Sequence, residues 1–266
     1  MKRIVIINLA IVFVLSIAIS ANAQHLVGQA VFVDIRDFPE FIFTRGGSEG
    51  HSGAYIQLNF GVSGWDVIEV VEAKAKHIPS GFEVTLREDT TCRKNYPPQW
   101  NIDTNYYINL RAEDWWMTGE WEFIFNYIEA RRKKTETAKV AVPRFNFPPI
   151  PTGIQISEYL GQKYLVWNRI GDPGTIEAGK RVEYRVRHFS SSSSCIDEDL
   201  VIRGPLTSPP SSYDLWSGNR IAVPLPTHWE PGDRVRIENR VFDDNYSDTG
   251  PGPYRWDRAC KDFILR

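Results

Sequence analysis

The chain has few cysteines, no surplus of positive charge and no long apolar run beyond its first residues. Three cysteines among 266 residues exclude a cysteine-dense scaffold and a four-cysteine zinc site. A formal net charge of −2 lacks the basic footprint of a dedicated nucleic-acid binder, so nucleic acid is not an expected partner. The five histidines, His25, His51, His77, His188 and His228, include no His-x-x-x-His or His-Glu-x-x-His pair, so no metal site and no cofactor are expected. No sustained stripe of period 3.6 runs through the chain, which argues against a helical fold.

What is present suffices for a buried core: 42% of residues are hydrophobic and 24% charged. At roughly 100–200 residues per domain, one or two domains are expected. Residues 1–23 read as a secretory signal. Lys2 and Arg3 precede the apolar run Ile4–Ile19, and Ala21-Asn22-Ala23 offers a small-x-small cleavage pattern before Gln24. The run is short for a bilayer span of ~20 residues, and no second one follows, so the mature chain is expected to carry no membrane span. Cleavage removes Lys2 and Arg3 and takes the net charge from −2 to −4. The expected location is secreted or periplasmic, at the cell envelope, where disulfides persist.

Alternation of apolar and polar residues dominates the mature chain. In Tyr55–Phe60, Ile56, Leu58 and Phe60 share one face and Tyr55, Gln57 and Asn59 the other, as on a half-buried strand. Ala30–Ile35, Val67–Ala75, Phe82–Arg87, Tyr106–Arg111, Trp121–Ile128 and Ala138–Val142 read likewise. Gly46-Gly47, Gly61-Val62-Ser63-Gly64, Pro79-Ser80-Gly81 and Pro97-Pro98 are the turn signals between them. About seven strands over ~120 residues predict a two-sheet sandwich for residues 24–143. Residues 144–151 contain three prolines and read as a semi-rigid spacer at a domain boundary. A second series occupies residues 152–266: Ile154–Ser157, Tyr164–Ile170, Arg181–Phe189, Leu200–Arg203, Arg220–Leu225, Arg234–Phe242 and Tyr254–Leu265.

The order and spacing of this second half resemble a fibronectin type III domain. Pro-Thr-Gly-Ile-Gln-Ile-Ser (151–157) resembles its first strand, and Tyr-Leu-Val-Trp-Asn (164–168) its second, with Trp167 as the core tryptophan. Val-Glu-Tyr-Arg-Val-Arg (182–187) resembles the third strand, and Trp-Glu-Pro-Gly-Asp-Arg-Val-Arg-Ile-Glu-Asn-Arg-Val (229–241) the turn into the sixth. Val235 stands where that sixth strand usually carries a tyrosine, and the loop after Phe189 is long. The first half more loosely resembles an immunoglobulin-like sandwich. Asp114-Trp115-Trp116-Met117-Thr118-Gly119-Glu120-Trp121-Glu122-Phe123 is similar to the Asp-x-Gly-x-Tyr-x-Cys corner, with Trp121 for Tyr and Phe123 for Cys. The resemblance implies recognition or spacing rather than catalysis. It also places Cys195, after the third strand, near Cys260 in the last. A Cys195–Cys260 disulfide would close a loop of ~65 residues and contribute about 4 kcal/mol on the chain-entropy model. Cys92 is left over, either buried or able to pair with a second chain.

Arginine placement marks the main candidate site. In Arg181–Phe189, Arg185 and Arg187 alternate with Val182, Tyr184 and Val186, and in Arg234–Val241, Arg234 and Arg236 alternate with Val235 and Ile237. In the fibronectin-like arrangement the two strands are neighbours, so one sheet face carries an arginine ladder. Trp256 and Arg258 lie on the adjacent last strand, where arginine can stack on tryptophan. The plainer expectation is a solvated outer face held by cross-strand ion pairs; the functional one is a protein- or anion-recognition face. Trp115 and Trp116 point opposite ways on an extended segment, so one is available as a glycan-stacking surface.

Other motifs are weaker. Gly46-Gly47-Ser48-Glu49-Gly50 fits a Gly-x-Ser-x-Gly string, but the nucleophile needs a strand-to-helix turn and a strand follows here. Asp243–Asp248 is oxygen-rich, yet its spacing is not that of an EF-hand and its residues are ordinary turn formers. Arg131-Arg132-Lys133-Lys134 reads as a solvated hairpin tip. The expectation is therefore an all-β chain of two tandem antiparallel β-sandwiches after a signal peptide, not an enzyme, binding an extracellular protein or glycan. A carbohydrate-binding module and, third, a hydrolase with a loop-built site are the alternatives.

Overall fold

The computed structural model describes residues 25–39, 51–64, 68–89, 102–111, 117–170, 181–191, 196–204, 220–242 and 256–266. Within them the protein is all-β. The first half contributes β1 (Leu26–Asp37), β2 (Gly53–Gly64), β3 (Ile68–His77), β4 (Glu83–Thr85), β5 (Arg87–Glu88), β6 (Ile102–Arg111), β7 (Gly119–Glu129) and β8 (Arg132–Val142). The second contributes β9 (Gln155–Tyr159), β10 (Gln162–Asn168), β11 (Arg181–Phe189), β12 (Glu198–Gly204), β13 (Arg220–Pro224), β14 (Arg234–Phe242) and β15 (Trp256–Ile264). Each stretch read as a strand from alternation overlaps one of these, and Phe82–Arg87 is split into β4 and β5 at the buried Leu86. Gly61-Val62-Ser63-Gly64, read as a turn, instead continues β2, where pairing with β6 overrides the local turn signal.

Local chemistry sets the hairpins. Ala130 and Arg131, at φ 46° and 64°, form the two-residue turn between β7 and β8, the twist-compatible geometry for a tight hairpin. Of the basic run, only Arg131 occupies the turn, while Arg132, Lys133 and Lys134 open β8; all four are exposed. Leu160 and Gly161, at φ 51° and 78°, close β9 onto β10 in the same way. At the start of β7, Gly119 has φ +121°, and a Cβ there would sit 2.8 Å from Pro79 Cγ, so glycine is required.

The strands form three sheets: an eight-stranded sheet in the order β12-β11-β14-β15-β1-β2-β6-β5, a four-stranded sheet β4-β3-β7-β8 and a three-stranded sheet β13-β10-β9. The long sheet draws strands from both halves. Its central join is a parallel pairing of the first described strand with the last, from Asp34↔Arg258 to Asp37↔Lys261. Both smaller sheets pack on the same face of the long one, each over its own apolar cluster. Trp121, Phe123, Phe125 and Tyr127 of β7 meet Ile56, Leu58 and Phe60 of β2. Leu165 and Trp167 of β10 meet Val182, Tyr184 and Val186 of β11 and Val235 and Ile237 of β14. Trp121 and Trp167, expected as core residues, are both 0% exposed.

The proline-rich segment is tied to the join. Asp257 accepts from the backbone N–H of Val33 at 2.7 Å and from that of Asn146. Asn239 donates to the Pro149 carbonyl at 2.8 Å. A segment poor in backbone donors is thus held by side chains of β14 and β15. Phe123→Ala in the first core and Trp167→Ala in the second are each expected to cost about 3–5 kcal/mol. Each should lower one shared unfolding transition in scanning calorimetry. Two separate transitions, each moved by only one of the substitutions, would show that the long sheet does not couple the halves.

Candidate functional site

Period two places opposite chemistry on the two faces of the long sheet. In β14, Val235, Ile237 and Val241 enter the core, while Arg234, Arg236, Glu238 and Arg240 point to the other side. Cross-strand register then assembles a charged layer. Arg240 lies opposite Glu183 and Arg258, Glu238 opposite Arg185 and Cys260, and Arg236 opposite Arg187 and Asp262. β1 brings in Asp34 opposite Arg258 and Arg36 opposite Cys260. The ladder expected from β11, β14 and β15 is present, but it is not a solvated face. Asp34 and Glu238 are 0% exposed, Arg236 2%, Arg240 3% and Arg258 6%.

Like charges directly opposite would repel, and the acids relieve this by bonding straight across, along and diagonally between the strands. Asp34 accepts a bidentate pair from Arg258 at 2.7 and 2.8 Å, and a bond from Arg36 Nε at 2.7 Å. Glu238 accepts from Arg240 at 2.9 and 2.6 Å and from Arg258 at 3.3 Å, and pairs with Arg187 at 3.1 Å. Asp262 holds Arg236 at 2.9 Å and Arg234 at 2.7 Å. Asp199 binds Arg185 and lies 3.5 Å from Arg187 Nε. Aromatic rings cover the guanidiniums: Arg240 over Trp256 at 4.1 Å, Arg234 over Phe189 at 3.7 Å, and Arg236 over Phe38 at 4.6 Å. Such contacts strengthen when desolvated.

The field of this layer holds its groups charged. Burial alone would raise the Asp34 carboxyl, but Arg258 and Arg36 outweigh it and hold it far below its usual 3.8. Burial is likewise outweighed at Glu238 by Arg187, Arg240 and Arg258, leaving it well below 4.5. Burial and the Asp34 and Glu238 charges push the Cys260 thiol far up. A fully buried, protonated thiol is inert as a nucleophile or metal ligand. Arg187 is the least compensated cation. Burial and the neighbouring Arg240, Arg258 and Arg185 bring it down to about 10 against the pull of Glu238.

Of the residues singled out from sequence, Arg185, Arg187, Arg234, Arg236 and Trp256 share this face. Trp115, Trp116, the 46–50 glycine-rich string, Cys92, Cys195 and the 243–248 acidic loop lie outside the described residues. The expected Cys195–Cys260 bridge therefore has one end undescribed, and the other, Cys260, is a free thiol. It faces the ion layer, 3.9 Å from Asp34 Oδ1. Sequence reasoning missed Asp34, Arg36 and Asp262. Their signal was the polar half of an alternating strand, which marks an outward face without telling what meets it.

Two histidines are tied into the fold. His188, expected on the Val182–Val186 face, is buried there, donates from Nε2 to Asp233 at 2.8 Å and stacks on Trp229 at 4.6 Å. His25 and the backbone N–H groups of His25 and Leu26 all bond the Glu136 carboxylate. No group of three or more His, Cys, Asp or Glu suited to a metal occurs among the described residues. No protein-family model matches the chain, and no curated protein matches it.

Asp34→Asn leaves Arg258 and Arg36 buried without their carboxylate and is expected to cost about 3–5 kcal/mol in urea unfolding. The pH dependence follows from linkage. A carboxyl lowered on folding stabilises above its unfolded value, and that stability is lost as pH falls below about 4. Wild-type stability should therefore drop steeply below pH 4, and Asp34→Asn should flatten the drop. Equal slopes would show that Asp34 is not part of the ionic layer.

Proposed function

We propose that the chain is a secreted, non-catalytic protein of the cell envelope or extracellular space that serves recognition, adhesion or spacing. In this reading its halves are tandem β-sandwiches, the first immunoglobulin-like and the second fibronectin type III-like. The observation that carries it is the eight-stranded sheet running through both halves, clamped at its centre by buried ion pairs. A sheet joined in this way sets the spacing of whatever loops and edges it bears, which suits a platform or spacer. Fold alone does not select a ligand.

Two features favour this reading over its alternatives. A hydrolase needs a nucleophile with a base, or paired carboxylates in a cleft. One cleft among the described residues, of about 320 Å³ beside the β9–β10 turn, carries one acidic side chain, Glu230, among Lys163, Leu225, Trp229 and Leu265. A glycan platform needs exposed aromatic faces. Of the described tryptophans, Trp121, Trp167 and Trp229 are buried and Trp256 is half-buried against Phe32, with ring centres 4.1 Å apart.

The test is affinity electrophoresis of residues 24–266 in gels with and without soluble polysaccharides, followed by capture from an envelope fraction. Unretarded migration with capture of a protein partner is the expected result. Retardation abolished by Trp116→Ala would replace it with the glycan reading.

A further inference from the structure

Among the described residues the ionic layer has more guanidiniums than carboxylates, even with Glu183, which lies 3.6 Å from Arg240. Asp34, Glu238, Asp262 and Asp199 each serve two or more guanidiniums. The shortage is felt most at Arg187. Its Nε is buried without a hydrogen bond, because Asp199 lies at 3.5 Å outside bonding geometry. A buried donor left unbonded is costly, and a ligand acceptor would relieve it.

The same end of the layer is where it opens. Side-chain exposure is 23% at Arg185, 17% at Arg187 and 26% at Asp199, against 7% or less at Arg36, Arg240 and Arg258. Beside this opening, Val201 of the last strand of the sheet, β12, stands opposite Arg185 and is 39% exposed. An apolar neighbour beside a half-buried charged centre helps to exclude water from an interfacial ion pair.

We propose that Arg185 and Arg187 form a receptor for a carboxylate side chain on an acidic segment of a partner protein. The inference rests on the recognition reading and names its ligand. Planar guanidinium forks match a carboxylate bidentately, and the site is built from arginine. Beyond Arg187 the described arginines are buried at Arg236, Arg240 and Arg258, and Arg234, whose side chain is 18% exposed, is held by Asp262, which favours a single carboxylate over a polyanion that needs a row of free cations. A single inserted Asp or Glu, with an apolar neighbour on Val201, fits the opening.

Fluorescence anisotropy of the mature chain with a labelled glutamate-rich peptide tests this, with a heparin fragment and inorganic phosphate in parallel arms. Expected are peptide binding that weakens as ionic strength rises toward about 0.5 M and a loss of about tenfold or more in Arg187→Gln. Arg187→Lys should fall between, because it keeps the charge and loses the fork. Arg185→Gln, at the more exposed position, should weaken binding without lowering the melting temperature. Lys163→Gln, on an exposed lysine of β10, should change nothing. Peptide binding unchanged in folded Arg185→Gln and Arg187→Gln overturns the proposal, as does no binding at low salt. Heparin or phosphate binding at these arginines without peptide binding overturns the ligand class. An envelope partner captured equally by wild type and both variants would leave recognition standing and remove this site; loss of capture altogether would fail both.

Discussion

The Asp34–Arg258 pair holds the join on which the molecule is built. It crosses the one parallel pairing in the long sheet, between strands that open and close the described chain. Two bonds of 2.7 and 2.8 Å fix register there. On the opposite face Asp257 ties β1, β15 and the proline-rich segment together. Register matters at such a place because a one-residue slip turns every side chain to the wrong face. Here a slip would drive Asp34 and Arg36 toward the apolar clusters and leave Arg258 without an acid.

An ionic layer is an expensive way to fill a sheet face. Desolvating paired charges often consumes the gain from pairing them, and apolar replacements of similar volume are frequently no less stable. What it does provide is specificity. Val or Leu would tolerate several registers between β14, β15 and β1, whereas Glu238 can satisfy Arg240, Arg258 and Arg187 together in only one. The excess of arginine over acid goes further than register requires. Rings of Trp256, Phe189 and Phe38 moderate it, and the layer meets solvent at Arg185, Arg187 and Arg234.

Much of the strand content was legible in the sequence. Arg181–Phe189 and Arg234–Phe242 coincide with β11 and β14, because alternation there is regular and each stretch has one mostly apolar face, interrupted only by His188 and Asn239. Less was legible where alternation breaks. In β3 a bulge between Val70 and Glu72 leaves Val71 exposed at 53%, and no composition rule marks that. The arginine ladder was legible as a set of same-face residues. Its burial was not, because burial depends on aromatic rings and chain segments brought from far along the sequence.

By itself the sequence determined the period-two pattern, the hairpins and the two apolar clusters centred on Trp121 and Trp167. These are local properties: side-chain alternation and turn chemistry act over a few residues. Tertiary structure alone decided that β1 would pair with β15, more than 200 residues away, and so that Asp34 would meet Arg258. Strand ends and edges carry no address in their own composition. A parallel join between distant strands is chosen by the whole set of contacts on both faces, here an ionic layer on one side and the Asp257 clasp on the other.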